Sequence, residues 1–449
     1  MKLFFSELKK FFGIKGIGIS IILIIMCMFL NTINNAGLLN KYKKGIESGD
    51  GEDTTKYENK LLDAHTGIIF SEEKYKEMLL VSNSLYVGTD SEGEEPGRFG
   101  PAKKYDKWLY ETLLATMTYL GEFKDSLSDV IYNAEQVKEN NKYLGEYSDT
   151  YKDKEADAVI SAYTRIRENT KLKLANTRGA YMYCWSESEG INQFNYQLLI
   201  IFLCCIISIY FTSEYEGGMH QLTYTAYKGR IYFFVLKNRI VFVATLFLTL
   251  LSCMIDAVIM EWRFGGFFGA FSQPIQLVYF FPNGAIAQFC PFNITFGQYV
   301  LLVFFMKFTA LYFVANISAW MAVWLRNAMA SIVASVLAGV GLLQFTIYTA
   351  QMDLNLYEQK SIFLDKIFIW LKTYSPISLL WLQDYTRSYD AINLFGMPVH
   401  RLYFVLTFAW LLIVSVLIIN SCLYCRRGCS SETGIIKYIK KIWQNRSLA

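Results

Sequence analysis

Proline is scarce in this chain. There are seven in 449 residues, and none falls between Ala102 and Gln273. Proline breaks helix interiors, so its absence lets long helices run unbroken through that stretch. Histidine is scarcer still, with three in all. Only His65 lies between the first two apolar runs, which leaves no support for a His-rich metal site or a serine–histidine hydrolase there. The net charge is only +4, and no basic, aromatic-rich face offers a track for phosphates, so a nucleic-acid partner is not expected. The nine cysteines are scattered, several inside apolar runs, unlike the framework of a small secreted domain. No Gly-x-x-x-x-Gly-Lys-Ser/Thr loop occurs, and no segment expected in the cytoplasm is long enough for a nucleotide-binding domain.

The chain is rich in apolar residues, at 53 % hydrophobic and 16 % aromatic, and their distribution is uneven. Charges crowd between Lys41 and Glu189 and in the last 24 residues. Elsewhere uncharged runs exceed the roughly twenty residues that a helix needs to cross about 30 Å of hydrocarbon. Six spans are expected, at Gly16–Asn40, Ile191–Ser213, Arg239 to Glu261 (broken only by Asp256), Phe296–Ile317 (containing Lys307), Asn327–Met352 and Leu402–Cys425. The first follows Lys2, Lys9, Lys10 and Lys15. Its Ala36-Gly37 pair leaves signal cleavage open, but 25 uncharged residues suit a retained anchor.

Basic residues flanking the runs set the expected orientation, because short cationic loops stay in the cytoplasm. The amino end, the loop with Lys228, Arg230, Lys237 and Arg239, the link at Arg326 and the tail with Arg426, Arg427, Lys437, Lys440, Lys441 and Arg446 all fall on one side of a six-span arrangement. Both termini are therefore expected in the cytoplasm of a cell-membrane protein. Residues 41–190 then form an extracytoplasmic domain with helix-forming pieces at Glu72–Val81, Lys107–Phe123, Ala134–Tyr147 and Ala156–Thr177, the last able to lead into the second span. The fold class expected is an all-α polytopic membrane protein, with a mostly helical domain between its first two spans. Two further outer segments are expected at 262–295, Phe- and Gly-rich and broken by Pro274, Pro282 and Pro291, and at 353–401, where Trp370, Tyr374, Trp381 and Tyr385 suit a headgroup layer.

The most informative stretch is the loop at 214–239. It opens with Glu214, Glu216, Gly217 and Gly218, passes through Leu222 and Thr225, and closes with Gly229-Arg230 and Lys237. As topology anchors alone, the basic residues would need no further role, but that leaves the acids and the glycine pair unexplained. In this order the loop resembles that of the permease subunits of type-2 ABC transporters, although Ala226 stands where proline is common. The resemblance extends to the span count, the large insert after the first span and the Ser375-Pro376-Ile377-Ser378 segment before the last. It implies that the loop seats on a separate ATPase subunit and that Glu214, Glu216, Gly217, Gly218, Thr225, Arg230 and Lys237 form the coupling element. It further implies a second permease copy or a similar permease as partner, ATP hydrolysis outside this chain, and export. An amphipathic or hydrophobic cargo such as a peptide, lipid or drug suits the apolar spans. No cofactor is expected; membrane lipids are.

Two charges interrupt the apolar runs: Asp256 in the third and Lys307 in the fourth. A buried ion faces protein, water or another ion. The two are estimated to lie about 9 Å apart in depth, so mutual pairing, a substrate path and simple snorkelling all stay open. Cys184 and Cys290, both on the outer side, leave a disulfide open; Cys422, Cys425 and Cys429 lack a nearby fourth ligand for a metal. The rival functions are an ion-coupled secondary transporter, for which no repeat is visible, and a membrane-anchored sensor or scaffold with a ligand-binding outer domain.

Overall fold

The computed structural model describes residues 11, 21–35, 62, 66–87, 101–143, 149–188, 193–216, 229–280, 284–352, 374–381 and 383–426. The chain is a polytopic, mostly helical membrane protein. Among the described residues, five helices are long and apolar enough to cross a bilayer, and a shorter apolar helix, α1 (Ile21–Asn35), precedes them. The five are α6 (Gln193–Glu216), α7 (Gly229–Phe264), α8 (Phe296–Leu325), α9 (Ala328–Met352) and α10 (Arg401–Arg426).

Helix α8 is the axis of the bundle. It packs against α6, α7, α9 and α10, and buried residues such as Val303, Met306, Leu311, Ala315, Ala319 and Ala322 line it on several sides. Its start is fixed by a capping box, in which Thr295 Oγ1 accepts from Gln298 N and Gln298 Oε1 accepts from Thr295 N. Its end is fixed by Arg326 in the left-handed region (φ 57°). Asn327 then caps α9 by accepting from Ala330 N at 3.0 Å, so two residues turn the chain back on itself. Helices α9 and α10 bury far less of themselves, with 22 % of the apolar window covered against 67 % for α8. Much of their surface is left uncovered by the other described residues.

A helical domain lies between α1 and α6. It comprises α2 (Glu72–Val87), α3 (Pro101–Tyr143), α4 (Thr150–Asn169) and α5 (Arg178–Ser188). Helix α3 is one element of 43 residues, where the sequence pattern suggests two shorter pieces. Met117, Leu120, Phe123, Leu127, Ile131 and Ala134 recur every three or four residues and are all buried, so one apolar stripe faces the domain core, where α3 packs against α4 and α2. The expected helix at Ala156–Thr177 stops at Asn169, because the next residues pair as extended chain with 67–70. Leu174 N donates to Ile68 O (2.9 Å), and Gly67 N and Phe70 N donate to Leu174 O (2.8 Å) and Leu172 O (3.0 Å). This delivers Leu174 into the domain core. The chain restarts as α5 at Arg178 instead of running straight into the membrane.

The Phe- and Gly-rich segment after α7 forms two 3-10 turns, Gly269–Ser272 and Ile275–Leu277, and a short hairpin of β1 (Tyr279–Phe280) with β2 (Gly284–Ala285). The domain rests on this segment: Tyr119 Oη donates to Gln276 O (2.7 Å), Tyr163 Oη to Phe289 O (2.6 Å) and Thr177 Oγ1 to Tyr279 O (2.8 Å). A second hairpin, β3 (Ala391–Leu394) with β4 (Met397–His400), leads into α10 and touches α4, where Lys154 Nζ donates to Gly396 O at 3.0 Å. The domain is thus fixed to the same end of the bundle at several points.

Candidate functional site

The close approach of α5 and α7 prepares the site. Gly179 N donates to Gly265 O at 2.7 Å, and a Cβ at Gly179 would meet that oxygen at 2.6 Å. Only glycine admits this contact. Gly266 takes φ 72° with Asn176 packed where its Cβ would stand. Glu261 accepts from Phe267 N (2.7 Å) and Phe268 N (3.2 Å), closing the end of α7. With its start pinned here, α5 carries Glu187, two and a half turns on, into the bundle, where that side chain is buried.

Glu187 meets Lys307 of α8 there. Lys307 Nζ donates to Glu187 Oε1 at 2.8 Å, and Tyr196 Oη of α6 donates to Glu187 Oε2 at 2.5 Å. Asp256 of α7 places its Oδ2 at 3.8 Å from Lys307 Nζ. Thr32 Oγ1 of α1 donates to Asp256 Oδ1 at 3.2 Å. Asn195 Nδ2 donates to Thr32 Oγ1 (3.0 Å), and Asn31 Nδ2 to Asn195 Oδ1 (3.0 Å). The rings of Tyr196 and Tyr183 stand 5.2 Å and 5.9 Å from Lys307 Nζ, near enough for a cation–π contribution. Five helices, α1, α5, α6, α7 and α8, therefore share one buried polar cluster. The side chains of Lys307, Glu187 and Asp256 are at most 3 % exposed. Removing ions from water costs several kcal/mol each, and the Lys307–Glu187 pair offsets this by mutual attraction and the Tyr196 hydrogen bond.

The structure brings the two intramembrane charges of the sequence together, with Asp256 Oδ2 3.8 Å from Lys307 Nζ. Glu187, Tyr196, Thr32 and Asn195 are the members that sequence reasoning missed. Glu187 sits in Trp185-Ser-Glu-Ser-Glu-Gly190, which reads as the polar end of the domain. The available cue is an acid just ahead of a span, in a chain whose later span holds an unexplained lysine.

The 214–239 loop lies at the opposite end of α6 and α7. Glu214 and Glu216 fall in the last turn of α6 and Arg230 in the first turn of α7. Gly217, Gly218 and Thr225 lie outside the described residues. Lys237 is fully buried. Its Nζ donates to Tyr210 O of α6 at 3.3 Å and stands 4.8 Å from the Tyr210 ring and 5.0 Å from the Phe211 ring. The lysine thus ties the start of α7 to the end of α6. Cys184 and Cys290 are both buried thiols. No protein-family model matches the chain, and neither a curated protein nor a solved structure matches it.

Proposed function

We propose that the chain is the permease subunit of an ATP-driven transporter, with six spans counting α1 and with both termini in the cytoplasm. The loop at 214–239 would receive the push of a separate ATPase chain, and a second permease would complete the pathway for an exported amphipathic or hydrophobic cargo. The observation that carries this reading is the Lys237 tie. A loop whose two ends are clamped together cannot absorb a push by splaying, so it passes the movement to α6 and α7 as a unit. Both helices pack on α8, so that unit works directly against the axis of the bundle. Glu214 and Glu216, in the last turn of α6, would meet basic groups of the motor.

The test is purification in lipid with the proteins encoded beside it, followed by ATPase assay of wild type and of a Glu214→Ala/Glu216→Ala variant. Association of an ATPase, with release or uncoupling in the variant, is the expected result. Absence of any associated ATPase removes the energy source from the proposal. The second reading, an ion-coupled carrier, draws on one observation: the Glu187–Lys307–Asp256 cluster among the spans, where ionisable residues commonly mark ion paths.

A further inference from the structure

We propose that Asp256 is a proton-binding site inside the bundle, supplied from the domain side along a polar seam formed by Asn31, Asn195 and Thr32. The inference goes beyond the transporter reading and holds whichever energy source drives the protein.

The argument starts from how Lys307 divides itself. Its ammonium is committed to Glu187 at 2.8 Å, and the second Glu187 oxygen is satisfied by Tyr196 at 2.5 Å. Asp256 receives less: the Thr32 hydroxyl at 3.2 Å and the same ammonium at 3.8 Å, beyond hydrogen-bond reach. The groups facing it are Lys307 from α8, Glu187 and Tyr183 from α5, Tyr196 from α6 and Cys253 from its own helix. Of these only Lys307 carries positive charge, and Glu187 lies nearer to it. A carboxylate 1 % exposed with this little compensation takes up a proton rather than bear the full cost of burial. A hard metal cation is a poor substitute, because it needs a shell of oxygens. Here the described polar contacts of the carboxylate are one hydroxyl at 3.2 Å and one ammonium at 3.8 Å.

Access follows from the hydrogen bonds. Asn31 is half-buried near the end of α1 and donates to Asn195, which donates to Thr32, which donates to Asp256. Otherwise apolar helices therefore carry a line of polar side chains from the domain-side ends of α1 and α6 to the carboxyl. Water entering along it delivers the proton to Asp256 Oδ2, forming the O–H bond, and takes it back when the site empties. The proton has a mechanical consequence. With Asp256 neutral, Lys307 belongs to Glu187 and holds α5 on α8. With Asp256 ionised, two carboxylates on different helices compete for one ammonium, and the hold on α5 weakens. Proton binding on the domain side thus sets how firmly the domain is fastened to the bundle.

The test is infrared spectroscopy of the full-length protein in lipid, with and without carbon-13 in the aspartate side-chain carboxyl. Exposed aspartates, with pKa about 3.9, are ionised at pH 6.5, and Asp256 is the one buried aspartate among the described residues. A protonated-carboxyl band at pH 6.5 that moves with the aspartate label, vanishes in Asp256→Asn and weakens in Glu187→Gln, where the freed Lys307 ammonium turns to Asp256, is the expected result. No label-sensitive band at pH 6.5, or one that survives Asp256→Asn, overturns the site. Should Asp256→Asn fail to fold, the labelled wild type decides on its own whether a buried aspartic acid exists, and Asn195→Leu decides the route. Closing the seam slows hydrogen–deuterium exchange of the band, whereas exchange at the wild-type rate overturns access along it. ATPase association is measured separately, so the site and the coupling reading fail independently.

Discussion

Two of the lysine–carboxylate pairs among the described residues have nearly equal length and opposite surroundings. On the domain, Lys138 of α3 meets Asp157 of α4 at 2.5 Å in contact with water. In the bundle, Lys307 meets Glu187 at 2.8 Å with almost no exposure. Distance does not rank them. In water each partner of an exposed pair is solvated whether or not the other is present, so the pair adds little. The domain instead depends on its apolar stripe, with Phe123, Leu127, Tyr163, Ile166 and Leu174 in its core. In the bundle no solvent replaces a missing partner, so the ion pair becomes a condition of folding.

The sharpest way to break the comparison is Lys307→Met. It strands the Glu187 carboxylate without its ammonium and is expected to cost about 3–5 kcal/mol, the penalty for opening a buried pair. Thermal unfolding in detergent reads this as a large fall in midpoint, and adding Glu187→Gln recovers much of it. A Lys307→Met protein as stable as wild type would mean that the cluster is open to water. Tyr196→Phe is the next step down. It removes a hydrogen bond to a charged carboxylate and should cost about 1.5–3 kcal/mol in the same assay, with no change in helix content.

His400 lies where the two regions meet, at the end of β4 and buried against Phe292, Tyr389 and Tyr403. Burial, with help from the Arg401 charge, pulls its pKa down from 6.5 to about 4, against an opposing pull from Asp390. The unfolded chain therefore binds the proton first. Stability contributed by neutral His400 is complete above pH 6.5 and is lost as the pH falls toward 4. Unfolding midpoints measured across that window should fall less steeply in His400→Phe than in wild type; equal slopes would place the acid sensitivity elsewhere. The smallest effect is reserved for Lys138→Ala, which should leave the unfolding midpoint unchanged. A marked fall there would show that the exposed pair matters in a way its surroundings do not explain.

Much of the architecture was legible beforehand. The five long apolar helices overlie apolar runs of the sequence, and most ends are displaced by a few residues; the larger departures are that α7 begins at Gly229 rather than near Arg239 and α8 runs on to Leu325 rather than Ile317. This works because a helix in lipid must satisfy its own backbone and cover about 30 Å, a demand that is local in sequence. Local pattern served the domain less well. The polar look of Lys124 to Asn133 hid Leu127 and Ile131, which continue the stripe of α3. The β-like pairing of 170–177 depends on residues 67–70, far away in the chain.

The polar cluster marks the boundary. Asp256 and Lys307 stand out in any reading because charge is expensive within an apolar run. Their estimated separation in depth did not bring them together, since α7 and α8 can slide in register and a lysine stem spans the remainder. Glu187 carries no such mark, being one more acid in an acidic stretch, and Thr32 and Asn195 are ordinary polar residues near helix ends. What the sequence determined by itself is which segments must leave water, because hydrophobic length and charge are properties of single segments. Which buried polar groups meet was decided only by tertiary structure, because that depends on the tilt, register and close glycine contacts of five helices at once.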